Sequence, residues 1–192
     1  AQLARIPLNH ADPVDTTTII GPQAAKPLSI ATPIYISHMS FGALSREAKT
    51  ALARGSKVMQ TAIGSGEGGI LPESRDNAYK YIFEYVPNRY NVSEKNLRAA
   101  DAVEIKFGQS AKPGMGGHLP ANKVTREIAA IRGFPEGTDI ISPAHYDDIL
   151  TKEQLKKKVA WLREVSGGRP IGIKFAAGHI EEDLAVALYA EP

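Results

Sequence analysis

From residue 32 onward, short apolar runs alternate with stretches of helical period, and Gly- or Pro-rich segments follow the ends of the runs: MSFGALS, GSGEGG, GQSAKPGMGG and AAGH. An apolar run of roughly four to eight residues bounded by turn formers reads as a buried strand, and strands alternating with amphipathic helices build βα units on a parallel sheet. In such folds, binding and catalytic groups gather at the carboxyl ends of the strands, where these segments fall. A complete (β/α)8 barrel takes about 250 residues. With 192 residues and four or five βα units, the expectation is α/β: an incomplete (β/α)8 TIM-type barrel, about its first half to two thirds, over residues 31–192. Residues 1–30, broken by Pro7, Pro13, Pro22 and Pro27, are expected to be an extended arm. A small, complete doubly wound sheet is the alternative.

Strands are expected over Thr32–Met39, Thr61–Gly64, Tyr79–Val86, Val103–Phe107, Asp139–Ser142 and Ile171–Phe175. Ser45 and Ser93 are placed to cap helices, the first with Glu47 in its opening turn and Ala48, Leu52 and Met59 inward. Thr151 and Gln154 form a capping box before Leu155, Val159 and Leu162, and further helices are expected near Val124–Ile131 and Glu181–Ala190.

Charge and composition exclude several classes. Lys plus Arg is 23 against 21 for Asp plus Glu, and the basic residues are scattered, so no nucleic-acid footprint is present. With no cysteine, this stretch has no disulfide, thiolate metal ligand or Cys nucleophile. No apolar run approaches the roughly 20 residues that span a bilayer, and the first residues lack a signal-peptide layout. A soluble, cytoplasmic protein without membrane partners is expected.

Gly64 to Gly69 spells G-x-G-x-x-G, but Pro72 and a polar run follow where a dinucleotide site needs an amphipathic helix. The turn instead sets one acid, Glu67, among small residues, where a planar ligand could lie against bare backbone; the alternative is a tight turn with no ligand, against which the placement of Glu67 argues. After the next strand, Lys106, Gln109 and Lys112 are interspersed with glycines, which suits either an anionic ligand or a solvated loop. Lys174 lies inside the apolar run Ile171–Phe175, where a charge calls for a partner unless it reaches solvent from an edge. The five histidines show no metal-ligand spacing.

MSFGALSREA (39–48), SGEGG (65–69), EIKFGQSAKPGMGGHLPANKV (104–124), ISPAHYDDI (141–149) and IGIKF (171–175) occur in the order found in glutamate synthases. Over roughly residues 20–185 the chain resembles the FMN-binding synthase domain of the large subunit, more closely the archaeal-type forms without a fused glutaminase. That resemblance implies a (β/α)8 barrel that binds FMN and converts 2-oxoglutarate and ammonia to L-glutamate. It implies flavin contacts from Met39, Ser40, Phe41, Gly42, Ala43, Ser65, Lys106, Gln109 and Lys174, and proton transfer by Glu67. Gln109, Lys112 and Arg132 would hold 2-oxoglutarate; Lys112 and Arg132 supply the two cations a dicarboxylate needs.

The family's iron–sulfur cluster is expected in the full-length protein, but its cysteines lie downstream of the matching region, as do the segments that hold the FMN phosphate. The chain by itself is therefore expected to bind FMN poorly and to be inactive. A separate glutaminase subunit would supply ammonia, and ferredoxin or an NAD(P)H-oxidising subunit the electrons. His118 and Met115 stand where the large bacterial enzymes carry Gln and Glu, which leaves coupling to a glutaminase open. Two other readings are a methylglutamate synthase-like enzyme using another amine, and an inactive barrel fragment serving as a folding or interaction unit.

Overall fold

A computed structural model describes residues 3, 4, 6–109 and 116–192. Four parallel strands, β3 (Ala62–Gly64), β4 (Lys80–Tyr85), β5 (Ala102–Lys106) and β6 (Ile171–Lys174), lie side by side in chain order. Beyond β3, Ile36 adds a parallel bridge to Ile63, with Ile36 N–H donating to the Ala62 carbonyl and Gly64 N–H to that of Ile36. A doubly wound sheet reverses its strand order at a switch point, whereas this one advances in a single direction, as a barrel wall does.

The two faces of the wall differ. Tyr81, Phe83, Tyr85, Val103, Ile105 and Ile171 pack outward against Leu97 of α3 (Glu94–Ala99) and Leu155, Val159 and Leu162 of α5 (Lys152–Val165). The alternate residues Ala62, Ile82 and Ala102 face the other way, onto Leu28 and Ile30. Those two belong to a hairpin, β1 (Thr18–Ile20) paired antiparallel with β2 (Leu28–Ile30), that closes the amino-terminal end of the wall. Pro22 and Pro27 lie between its strands, while Leu28 and Ile30 alternate with an exposed Ser29. The hairpin was not anticipated in the extended lead-in, because the prolines mask so short an alternation.

Caps fall where the side chains require them. Ser45 accepts from Ala48 N–H at the start of α1 (Arg46–Val58), Ser93 from Asn96 N–H, and Thr151 with Gln154 completes a reciprocal capping box. Three expectations shift. The strand over Thr32–Met39 contracts to the single bridge at Ile36, with Ile34 and Tyr35 exposed. Asp139–Ser142 contributes only the antiparallel bridge Leu119–Ile140. The fully buried face of α1 is Lys49, Ala53 and Ser56; of the expected residues, Leu52 packs against the same core and Ala48 is half-buried, while Met59 is exposed. Apolar period did not point to Lys49, because a lysine counts as polar however deeply it is buried.

α2 (Pro72–Asn77), α4 (Arg126–Arg132) and α6 (Ile180–Tyr189) complete the described elements, and no described helix is long and apolar enough to cross a membrane. Leu162, fully buried between α5 and the sheet, tests this packing. Leu162→Ala is expected to cost about 2–5 kcal/mol, read as a lower urea midpoint with an unchanged m-value.

Candidate active site at the carboxyl face

Above the apolar hairpin, the inner wall turns ionic. Register sets Glu84 beside Glu104 and Lys106 beside Lys174 on adjacent strands, all on the inward parity. The Glu84 side chain is 1% exposed. Lys174 Nζ donates to it, Lys106 Nζ lies 3.9 Å away, and His38 Nδ1 3.8 Å. Glu104 meets Lys174 at 3.5 Å and His38 Nε2 at 3.3 Å. Burial pushes the Glu104 carboxyl up, but His38 and Lys174 outweigh it and hold the group below its ordinary value. Burial likewise opposes the Lys174 charge, and Glu84 and Glu104 overcome it, raising Lys174 above its ordinary value. His38, Glu84 and Glu104 also bring possible metal-ligand atoms within 4.8 Å of one another. The Lys174 ammonium, lying against both carboxylates, already supplies the cation.

Glycine-bearing turns close over this layer. A Cβ on Gly64 would strike the His38 ring, one on Gly66 the Met39–Ser40 backbone, and one on Gly117 the Glu67 carboxylate. Gly66 also has a φ of 75°. Glu67, brought forward by that turn, accepts from Lys106 Nζ at 3.1 Å. A cleft opens beside the pair, lined by Phe107, Ser142, His145 and Tyr146. The Tyr146 hydroxyl lies 2.7 Å from the Tyr85 carbonyl and 3.0 Å from that of Lys106, which fixes the 142–149 loop across the ends of β4 and β5.

Arg132, the last residue of α4, is buried, and its helix stops there because Gly133 turns left-handed at φ 75°. Its Nη2 donates to the Phe41 carbonyl at 3.2 Å, and its guanidinium lies 5.1 Å from the Tyr90 ring centroid. Gly68 and Gly42 leave room beside it. Nε and Nη1 have no hydrogen-bond partner among the described residues, and no described carboxylate neutralises the charge. A buried guanidinium in that state has donors free to receive a carboxylate or another anion.

Residues 2–191 match the family model described as "Conserved region in glutamate synthase". The chain belongs to the glutamate synthase family. It is 37% identical over 193 residues to a glutamate synthase large subunit-like protein of Rhizobium meliloti, covering 99% of this chain and 44% of that protein. With the archaeal glutamate synthase [NADPH] of Methanocaldococcus jannaschii it shares 44% identity over 162 residues, 84% of this chain and 32% of that protein. The chain therefore spans less than half the length of these curated relatives. Among solved structures, a mandelate oxidase mutant with an FMN adduct superposes with a TM-score of 0.52 at 21% identity, covering 97% of this chain and 53% of that one. The fold is thus part of a TIM-type barrel.

The family motifs converge on one face. Met39 and Ser40 are half-buried, Gly42 and Ala43 exposed, and Phe41 turns its ring down into a second core with Leu71, Tyr90, Leu119 and Ile128. Ser65 is fully buried; its hydroxyl donates to the Gly66 carbonyl and accepts Glu84 N–H, so its side chain stitches β3 to β4. Lys106, Lys174 and Glu67 meet through the ionic layer, with Arg132 across the glycine turn. Gln109 is half-buried where the strand leaves β5, and Lys112 lies outside the described residues. His118 Nδ1 accepts Ser142 N–H at 2.9 Å, which ties two loops of this glutamate synthase region together.

His38, Glu84, Glu104 and Tyr90 were not singled out from the sequence. Like Lys174, Glu84 and Glu104 are charges at the centre of apolar runs, a signal present in the sequence, and Glu104 and Lys106 share one face by alternation.

Lys49 is a further buried cation, with Nζ donating to the Met39 carbonyl at 2.6 Å and the Ser65 carbonyl at 2.9 Å. Burial lowers its affinity for the proton, against the pull of Glu84, from 10.5 to about 8. The unfolded chain therefore holds that proton to higher pH than the folded one, and this site makes stability rise with pH above about 8. Urea titrations from pH 8 to 10 are expected to show that rise in the wild type and a flatter profile in Lys49→Met.

Proposed function

We propose that this region forms the isoalloxazine and 2-oxo acid side of an FMN-dependent glutamate synthase site that makes L-glutamate from 2-oxoglutarate and ammonia. The observation that carries the proposal is Arg132, buried with two unpaired donors on the far side of a glycine turn from Glu67.

The residues suit a flat, electron-rich ring. Gly64, Gly66 and Gly68 already pack so closely on their neighbours that added Cβ atoms would collide or crowd, so the turn stays thin. The exposed backbone at Gly42 and Ala43 flanks it, and the ammonium groups of Lys106 and Lys174 rise from the wall. Met39–Ala43, Lys106, Gln109 and Lys174 would hold FMN, which would supply the hydride that no side chain can provide, whereas Ser65, expected to touch the flavin, is fully buried and supports the turn from beneath. Two lysines there favour a ring that gains negative charge on reduction.

Arg132 and Lys112 would bind the two carboxylates of 2-oxoglutarate and orient its keto carbon toward the turn. Glu67 would donate a proton to the hydroxyl that leaves as water after ammonia adds, and Lys106 fixes the carboxyl that does so. The cleft beside Glu67 gives a small amine room to approach. An iron–sulfur cluster, a glutaminase subunit and an electron donor belong to the proposal for the whole protein, as does a cytoplasmic location.

In the full-length protein, Glu67→Gln is expected to keep the flavin and lower kcat about 10²–10⁴-fold. Arg132→Lys is expected to raise KM for 2-oxoglutarate about 10–100-fold, as expected for hydrogen bonds lost to a charged group. Steady-state assays with ammonia and, separately, methylamine check both values and settle the amine. Unchanged kinetics in both variants would reject the assignment.

A further inference from the structure

Lys49 lies behind the sheet on α1, away from the open side of the wall, and takes no part in the chemistry proposed above. Its side chain is almost fully buried, yet it has no carboxylate partner within ion-pair distance among the described residues. The charge is spent on two backbone carbonyls, of Met39 and Ser65. These carbonyls belong to the two turns that would border the flavin, and they lie 26 residues apart in sequence. We propose that Lys49 is a positioning residue: its ammonium ties the 39–43 turn to the 65–69 turn and, through the Ser65–Gly66 peptide, fixes His38 as the Nε2–H tautomer facing Glu104.

The chain of contacts carries the proposal from end to end. An ammonium bonded to the Ser65 carbonyl polarises that peptide and strengthens the N–H on its other side, which is Gly66 N–H. Gly66 N–H donates to His38 Nδ1 at 3.1 Å. A backbone N–H can only donate, so Nδ1 carries the lone pair and the ring proton sits on Nε2. Nε2 lies 3.3 Å from Glu104 Oε1, a carboxylate that Lys174 also contacts. Gly64, which has no room for a Cβ under the ring, keeps His38 in this orientation. A residue outside the wall thus sets the proton arrangement inside it. A methionine at 49 fills similar space but donates nothing, so the two turns lose their tie while the packing of α1 persists.

The tautomer part stands on geometry alone; the link to a bound ring rests on the FMN reading. The test uses the full-length protein: nitrogen-15 and carbon-13 NMR of the His38 ring, assigned by its loss in His38→Gln, together with FMN titration of the same samples. The wild type is expected to show protonated Nε2 and bare Nδ1. Lys49→Met is expected to show a mixture of tautomers and an FMN Kd raised about tenfold, and Lys49→Arg, which again offers two donors, to restore the wild-type pattern. A protonated Nδ1 in the wild type overturns the proposal, and so does an unchanged tautomer in a folded Lys49→Met. Should Lys49→Met fail to fold by circular dichroism, the wild type and Lys49→Arg decide. Absence of FMN binding by the wild type rejects the flavin reading, while the tautomer comparison still decides the role of Lys49.

Discussion

The Glu84 carboxylate is the point on which the site depends. It is buried on the inner wall, where barrels ordinarily stack branched apolar side chains, and it is met by the ammonium groups of Lys174 and Lys106. A carboxylate taken out of water is tolerated only when opposite charges and donors meet it, and here they come from different strands. Register is therefore coupled to charge. A one-residue slip of β5 or β6 would turn Lys106 or Lys174 onto the apolar helix-facing side and take one of its two ammonium partners from Glu84. Such a layer adds little net stability against an apolar core. What it provides is two ammonium groups held on one curved wall.

Two features carry that wall to function. The glycine turns come close enough to each other that side chains would collide, so bare backbone and Glu67 are what they present. The short helix α4 then ends on Gly133 and leaves the Arg132 guanidinium buried beside the turn, with donors to spare. Each is a local consequence of a small residue at one position. Together they set an acid, three cations and open backbone around one face.

The alternation of short apolar runs and helical stretches made the barrel wall, its caps and its carboxyl-end loops legible in the sequence. Thr151 and Gln154, Ser45 and Ser93 do what their chemistry requires, since a cap is a contact within four residues. The hairpin at 18–30 was not legible, because its stability comes from Ala62, Ile82 and Ala102, distant in the chain. The same holds within the site. Glu67, Lys106 and Lys174 stand out by motif or by a charge in an apolar run, whereas the roles of His38 and Tyr90 exist only once strands and loops are brought together. Lys49 is invisible to hydrophobic period, since a helix face that buries a lysine looks polar on paper.

The most direct test is the visible absorption spectrum of the purified full-length protein, read alongside its intact mass and an FMN titration. Flavin bands are expected, present on purification or appearing with perturbed maxima as FMN is added. A colourless protein whose mass matches its sequence, and whose addition leaves the FMN spectrum unchanged, would contradict the assignment of this face to a flavin.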